Sequence, residues 1–413
     1  MTAASGADVW RRETPHVLAA LVRRYGDFAA CEDAVQEALI EASQLWARAG
    51  VPAKPRGWLV RVASRRLIDG LRQDAARLAR EERAARFDGL DRPADPAPPT
   101  ETDDGSLEVL TLCCHPSLTP ESQVMLALRA VLGLTTKQIA AVYLIPDATV
   151  GQRISRAKAT INAQQRRFPG SANPRERLPA VLHALYLMFT SGHSQPFGDD
   201  LLDAGVTGEA IHLARLLHAA LPDEPEIAGL LSLMLLTDAR RSARSTPTGD
   251  LVRLSDQDRT RWNRATIDEG VELIEHALPR GIVGPYQLQA AIAAVHAEAT
   301  SWQHTDWAQI VELYAMLAAV APSPMVTLNY AVAIGEVHGP ESALRVTDPL
   351  LDDQRLDRNH RLHAVRAALL EAAGRPADAL HSYRRAGTLC TNQAEQRYLN
   401  EQTIRLARAT DRP

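Results

Sequence analysis

Between Leu134 and Asn162 the apolar positions fall into two phases, which predicts two short helices joined by a tight turn. Ile139, Ala140 and Tyr143 lie at helical spacing. Thr135 or Thr136 can cap that helix, because a hydroxyl accepts from first-turn amides that have no other partner. Ile145-Pro146 then breaks it, since proline supplies no donor and pushes its predecessor out of the α region. Asp147 restarts the chain as the next N-cap. Val150, Ile154, Ala157 and Ile161 step by four, three and four, which makes one buried stripe. The other face carries Thr149, Gln152, Arg153, Arg156 and Thr160, with Lys158 beside them. This is a helix-turn-helix whose second helix offers hydrogen-bonding and cationic groups to a DNA groove. An ordinary helical hairpin with a solvated charged face has the same pattern, so the stretch alone leaves both readings open.

The chain upstream is also helical. Val17, Leu18, Leu21, Val22 and Tyr25 define an amphipathic helix that Gly26 can end. The next, over residues 29–49, buries Val35, Ala38, Leu39, Ala42 and Trp46. Its outer side carries Asp33, Glu37 and Glu41 at spacings of four, with Gln36 and Ile40 beside them. Like charges so placed slightly destabilise a lone helix, so the stripe is either tolerated or awaits a basic partner. From Pro55 to Gln73, Trp58, Leu59, Val62, Leu67, Ile68 and Leu71 supply an apolar side. Arg61, Arg65, Arg66 and Arg72 supply the other. A tryptophan beside arginines suits unstacked bases, by ring stacking plus backbone charge; Trp58 suits a core position equally well.

Residues 84–107 are proline-rich and acidic, with no apolar period, and read as an extended or disordered linker. Cys113, Cys114 and His115 follow. Adjacent residues seldom ligate one tetrahedral ion together, and no second pair sits at zinc-type spacing, so packing is the expected role. Thr119 then caps a helix with Pro120 at its first position, Val124, Leu126, Leu128, Val131 and Leu132 as core, and Gly133 as its end.

Beyond Asn173 the chain is rich in alanine and leucine, helix after helix, punctuated by proline and glycine. The segment starting at Gly339-Pro340 is echoed from Arg375-Pro376, roughly 36 residues on, close to the tetratricopeptide period of about 34. Such paired helices stack into a solenoid with a concave face. Thr190 to Phe197 forms a polar loop, and Asp256 to Trp262 is dense in groups able to make bidentate hydrogen bonds. His183, His193, His212, His218, His296 and His304 are scattered, and no spacing brings a nucleophile, a base and an orienting group together. Structural or docking roles are expected, with no catalytic residue, metal site or cofactor assigned.

Composition refines this picture. A chain of 413 residues is long enough for two or three domains. The net charge of −4 argues against a protein coated in nucleic acid, yet residues 54–83 and 153–177 are locally basic. Two basic patches fit two phosphate contacts. No apolar run approaches membrane-spanning length, the N-terminus lacks a signal-type core, and four cysteines make no disulfide framework, so a reduced, cytoplasmic protein is expected.

The order EDAVQEALIEA, PRGWLVRVASRRLIDGLR, a linker, then LTPESQVMLALRAVLGLTTKQIAAVYLIPDATVGQRISRAKATI resembles the extracytoplasmic-function (group four) RNA polymerase sigma factors. The match spans roughly the first 170 residues. YLMFTSGHSQPFG, DQDRTRW and GPYQLQAAIAAVHAEA resemble segments of the subgroup with a long tetratricopeptide-like C-terminal extension. The resemblance implies an all-α chain with sigma domain two at 8–83, a linker at 84–107, sigma domain four at 108–169 and a helical extension at 173–410. Core RNA polymerase and promoter DNA are the implied partners. Asp33, Gln36, Glu37 and Ile40 would dock on the clamp helices of the β′ subunit, while domain four would meet the β flap. Trp58, Arg61, Arg65, Arg66 and Arg72 would read and melt the minus-ten element. Thr149, Gln152, Arg153, Arg156 and Lys158 would serve the minus-thirty-five element. The acidic linker would thread the RNA-exit path. Many members carry asparagine near Arg65, so base identity there is open, and Gly151 weakens the recognition helix by roughly 1 kcal/mol relative to alanine. The extension would modulate the sigma core, with docking on the sigma domains as one route.

Two rivals remain on sequence alone. A stand-alone helix-turn-helix regulator with a sensing solenoid would leave the acidic stripe and the Trp58 segment without a role. An enzyme in the C-terminal half has no motif to support it.

Overall fold

The computed structural model describes residues 6–81, 105–143, 145–164, 174–194, 201–356 and 359–410. The linker expected at 84–107 lies almost wholly outside them, as does most of the polar loop after His193. Among the described residues every regular element is helical, and Ser245 and Leu251 form an isolated antiparallel bridge. The chain divides into two compact units, residues 1–188 and 189–413.

In the first unit, α1 (Gly6–Tyr25), α2 (Phe28–Ala49) and α3 (Pro55–Glu81) pack mutually. Asp27 caps α2 by accepting from the Ala30 amide, and Gly26 takes the left-handed φ of 77° that ends α1. Phe28, Val35, Ala38, Leu18, Leu21, Leu59 and Val62 fill the space between the three helices. Each large aliphatic side chain fully buried there contributes about 1.5–3 kcal/mol. Leu71 stays exposed rather than joining them, and Leu39 is half-buried.

Four shorter helices follow: α4 (Ser106–Cys113), α5 (Pro120–Ala130), α6 (Thr136–Tyr143) and α7 (Asp147–Gln164). Thr119 caps α5 with Pro120 in its first turn, as its sequence requires. Thr135 is the cap of α6: its hydroxyl accepts from the Gln138 amide, while the Gln138 side chain accepts from the Thr135 amide. Helix α4 was not foreseen, although its buried Ser106, Val109, Leu110 and Cys113 fall at helical spacing. Its Cys113 and Cys114 are buried thiols, while the neighbouring His115 bonds Ser117 at 2.6 Å. Gly105 precedes α4 where the chain crosses α1 so closely that a Cβ would collide with the Ala19 Cβ. α4 packs on α1 and α7 packs on α2, so the two helical groups form one body.

α8 (Pro174–His193) begins in the first unit and ends in the second. The second unit continues with α9 (Ala204–Ala220), α10 (Pro225–Asp238), α11 (Arg264–Ala277), α12 (Pro285–Glu298) and α13 (Trp307–Val320). It closes with α14 (Pro324–His338), α15 (Pro340–Thr347), α16 (His360–Ala372), α17 (Pro376–Leu389) and α18 (Gln393–Thr410). The helices pack mainly on their sequence neighbours, as in a solenoid. The echoed segments start α15 and α17, the second helices of two successive pairs. Gly229 of α10 lets the Gln287 backbone approach so near that a Cβ would meet its nitrogen at 2.7 Å.

The polar segment Asp256 to Trp262 acts as a clamp. Arg259 donates to the carbonyls of His296 and Ala299, each at 2.7 Å, and lies over the Trp262 ring. Of the scattered histidines, His183, His212 and His304 are exposed, while His193 and His296 pack against aromatic rings. His193 stacks on Phe189, and His296 contacts Trp302 and Trp307. Burial foremost, with nearby arginines, pushes the His193 imidazole down to about 2 and that of His296 to about 4. Both therefore fold neutral, and below the ordinary imidazole pKa the unfolded chain takes up protons that the folded chain refuses. Stability of the second unit should fall as pH drops from about 7 toward 5, by up to about 1.4 kcal/mol per pH unit for each histidine. Urea unfolding at the two pH values checks this, with a smaller drop expected for His296→Gln.

Candidate nucleic-acid interface

The Val150, Ile154, Ala157 and Ile161 stripe of α7 is buried throughout, as its spacing requires. The face turned outward carries Gln152 and Arg156, both exposed, with Thr149 and Arg153 half-exposed beside them. Arg153 is held at 2.5 Å by Glu121 of α5, a surface pair. Lys158 departs from this group. Its side chain is 12% exposed and turned toward α2, where it pairs with Glu32 and, at 2.6 Å, with Asp33. Burial alone would lower the Lys158 ammonium, but the two carboxylates outweigh it and hold it above its ordinary value. In this conformation Lys158 joins helices rather than facing outward.

Glu32 is the residue that sequence reasoning missed. It is fully buried and also receives Arg129 of α5 at 3.2 Å. Its position was legible in one respect: it sits among Phe28, Cys31 and Val35 on the apolar face of α2. Asn162 of α7 adds a bond to Asp27 at 3.1 Å, and Arg23 of α1 pairs with Glu108 of α4 at 2.7 Å.

The other basic patch lies along α3. Arg61, Arg65, Arg66 and Arg72 are all exposed. Arg66 bonds Glu41 of α2 at 2.7 Å and approaches Glu37 at 3.9 Å, while Arg65 reaches Glu41 at 3.3 Å. Hydrogen bonding to Glu41, then its charge, raises the Arg66 guanidinium. The acidic stripe thus has basic partners, Lys158 for Asp33 and α3 arginines for Glu37 and Glu41. Ile40 stands 60% exposed on the same face, with Gln36 half-buried beside it. Trp58 resolves between its two readings: it is half-buried, edge-on to Trp46 at 5.4 Å, and Trp46 in turn meets Trp10 at 6.2 Å.

These contacts differ in weight. Removing a partner from a buried ion group strands the others and costs about 3–5 kcal/mol, whereas an exposed pair contributes about 0–1 kcal/mol. Glu32→Ala should therefore lower the unfolding free energy of the first unit by several kcal/mol, and Glu108→Ala by less than about 1 kcal/mol. Denaturant midpoints of the two chains measure the contrast.

The family model for Sigma-70 region 2 matches residues 9–77, and that for Sigma-70 region 4 matches residues 109–161. A family of unknown function (DUF6596) matches residues 177–278. The chain is 39% identical over 398 residues to an uncharacterized protein, R00370, of Rhizobium meliloti, covering 95% of this chain and 94% of that one. It is 28% identical to the probable ECF RNA polymerase sigma factor SigI of Mycobacterium tuberculosis, over 48% of this chain and 68% of the relative. The probable RNA polymerase sigma factor RfaY of Xanthomonas campestris pv. campestris is 31% identical over 33% of this chain and 34% of its own length.

Proposed function

Because the chain belongs to the ECF-type RNA polymerase sigma factors with a helical C-terminal extension, and so directs RNA polymerase to promoters, we propose specific roles for its exposed residues. The family is one of transcription factors rather than an enzyme class. Thr149, Gln152, Arg153 and Arg156 enter the major groove at the minus-thirty-five element, where amide and guanidinium groups can pair with base edges. Arg61, Arg65, Arg66 and Arg72 hold the minus-ten backbone as it melts, with the exposed edge of Trp58 available for stacking. Asp33, Gln36, Glu37 and Ile40 dock on the β′ clamp helices, and the domain-four helices meet the β flap. The protein works in the cytoplasm, beside its polymerase, and the extension modulates this core.

The observation that carries the reading is the division of α7 into a buried aliphatic stripe and an outer polar, cationic face. Exposure of Ile40 between carboxylates supports the polymerase surface in the same way. Asp33 and Lys158 occupy each other here, so engaging polymerase through Asp33 requires the α2–α7 contact to be remade. Lys158 therefore reaches phosphate only after that contact opens.

In vitro transcription with core polymerase tests the whole proposal, comparing the full chain with one ending near residue 169. If neither form initiates at defined promoters, the reading fails. Arg156→Ala should weaken promoter binding by about 1–3 kcal/mol when the side chain reads a base, and only on the cognate sequence. An equal loss on every sequence in a gel-shift titration would assign it to phosphate. Ile40→Asp should reduce capture of core polymerase while leaving the unfolding midpoint almost unchanged.

A further inference from the structure

We propose that His360, Cys390 and Glu395, near the C-terminal end of the second unit, form a binding site for a divalent transition-metal ion of the zinc class. His360 Nε2 lies 2.9 Å from Glu395 Oε2, and Cys390 Sγ lies 3.8 Å from the same oxygen. All three donor atoms fall within 4.8 Å of one another. Ligands bound to one tetrahedral ion at about 2.0–2.3 Å stand roughly 3.3–3.7 Å apart, and the separations of 2.9 and 3.8 Å bracket that spacing.

The donor set selects the ion. A thiolate and an imidazole disfavour magnesium and calcium and suit zinc-like ions, while the thiolate and carboxylate charges balance a divalent cation. Three protein donors leave a fourth position for water or an exchangeable ligand, as in an open rather than a closed site. His360 and Glu395 both keep part of their surface accessible, so the site has a way in, whereas Cys390 is buried.

The fold holds each donor by separate means. His360 opens α16 just after the cap Asn359, whose side chain accepts from the Arg361 amide. Cys390 ends α17, and Glu395 sits in the first turn of α18, where the Asn392 side chain accepts from its amide. Gln396 ties the intervening turn by donating to the Gly387 and Cys390 carbonyls. Arg361 stands 3.9 Å from Glu395 Oε1, which leaves Oε2 turned toward the histidine and the thiol, the orienting role that outer partners of metal ligands play. Cys390 belongs to an apolar cluster with Leu370, Tyr383 and Leu399, yet its sulfur lies near oxygens, those of Glu395 and of the Asn392 carbonyl at 3.5 Å. An ion at this point would join α16, α17 and α18 directly.

The test uses the full chain, stripped with a chelator and titrated with Co²⁺ as a spectroscopic probe. The expected result is one ion per chain, a thiolate-to-cobalt charge-transfer band in the near ultraviolet, displacement by Zn²⁺ and a raised thermal midpoint. Cys390→Ser should abolish the band, and a Cys113→Ser, Cys114→Ser chain should keep it. His360→Gln should weaken binding at least tenfold with an altered band, which keeps the test decisive should Cys390→Ser not fold. Absence of a thiolate band in the parent chain, or its persistence unchanged in Cys390→Ser or His360→Gln, overturns the proposal.

Discussion

The carboxylate of Glu32 is the constraint on which the first unit depends. It arises from the apolar face of α2, and burying it without compensation would cost several kcal/mol. Both cations that answer it come from beyond the linker: Arg129 from α5 and Lys158 from α7. A group placed in the core of one helical module is thus satisfied by cations of the other. Apolar contact between α2 and α7 is non-directional and would tolerate sliding, whereas three charged groups fix the register. The same pairing places Asp33, one residue on, at the rim of the contact, where Lys158 also reaches it.

The pairs along α3 obey different physics. Arg65 and Arg66 meet Glu41 and Glu37 at the surface, where water screens the attraction and leaves little net stabilisation. A guanidinium so held can leave one carboxylate and bond a phosphate at small cost, and its fork suits both. The carboxylates it leaves become available to another basic surface. One set of exposed contacts can therefore be exchanged for two intermolecular ones, while the buried trio keeps its partners until the modules part.

Local physics in the sequence foretold much of this. Proline and glycine punctuation set the ends of α1, α5 and the α6–α7 turn, and the four-three-four stripe of α7 is buried as its spacing demands. Exposed residues of the candidate interface were equally legible, because a polar face is the complement of an apolar one. What escaped were pairings over long separations: Glu32 with Arg129, 97 residues apart, leaves no periodic trace. Lys158 was placed among the outward cations since it adjoins them on the helical wheel, and only the approach of α2 turns it inward. Trp58 was undecided for a related reason, as a ring can pack by one edge and remain open at the other. His360, Cys390 and Glu395 match no zinc-type spacing, because turns between helices rather than a short loop bring them together.

The second unit shows why polar groups within a helical repeat need not be catalytic. A solenoid has no single deep core, so its irregular connections leave carbonyls that must find donors. Arg259 supplies two of these from one side chain, and Arg244 supplies another to the His193 carbonyl. Neutral imidazoles fill the adjoining space as flat rings against aromatic neighbours. Each such tie acts on a neighbouring pair of helices, because stability in a stacked repeat passes only from neighbour to neighbour. His360 and Glu395 join the first turns of α16 and α18 by a tie of the same kind, so three consecutive helices of the extension are held by one small polar group.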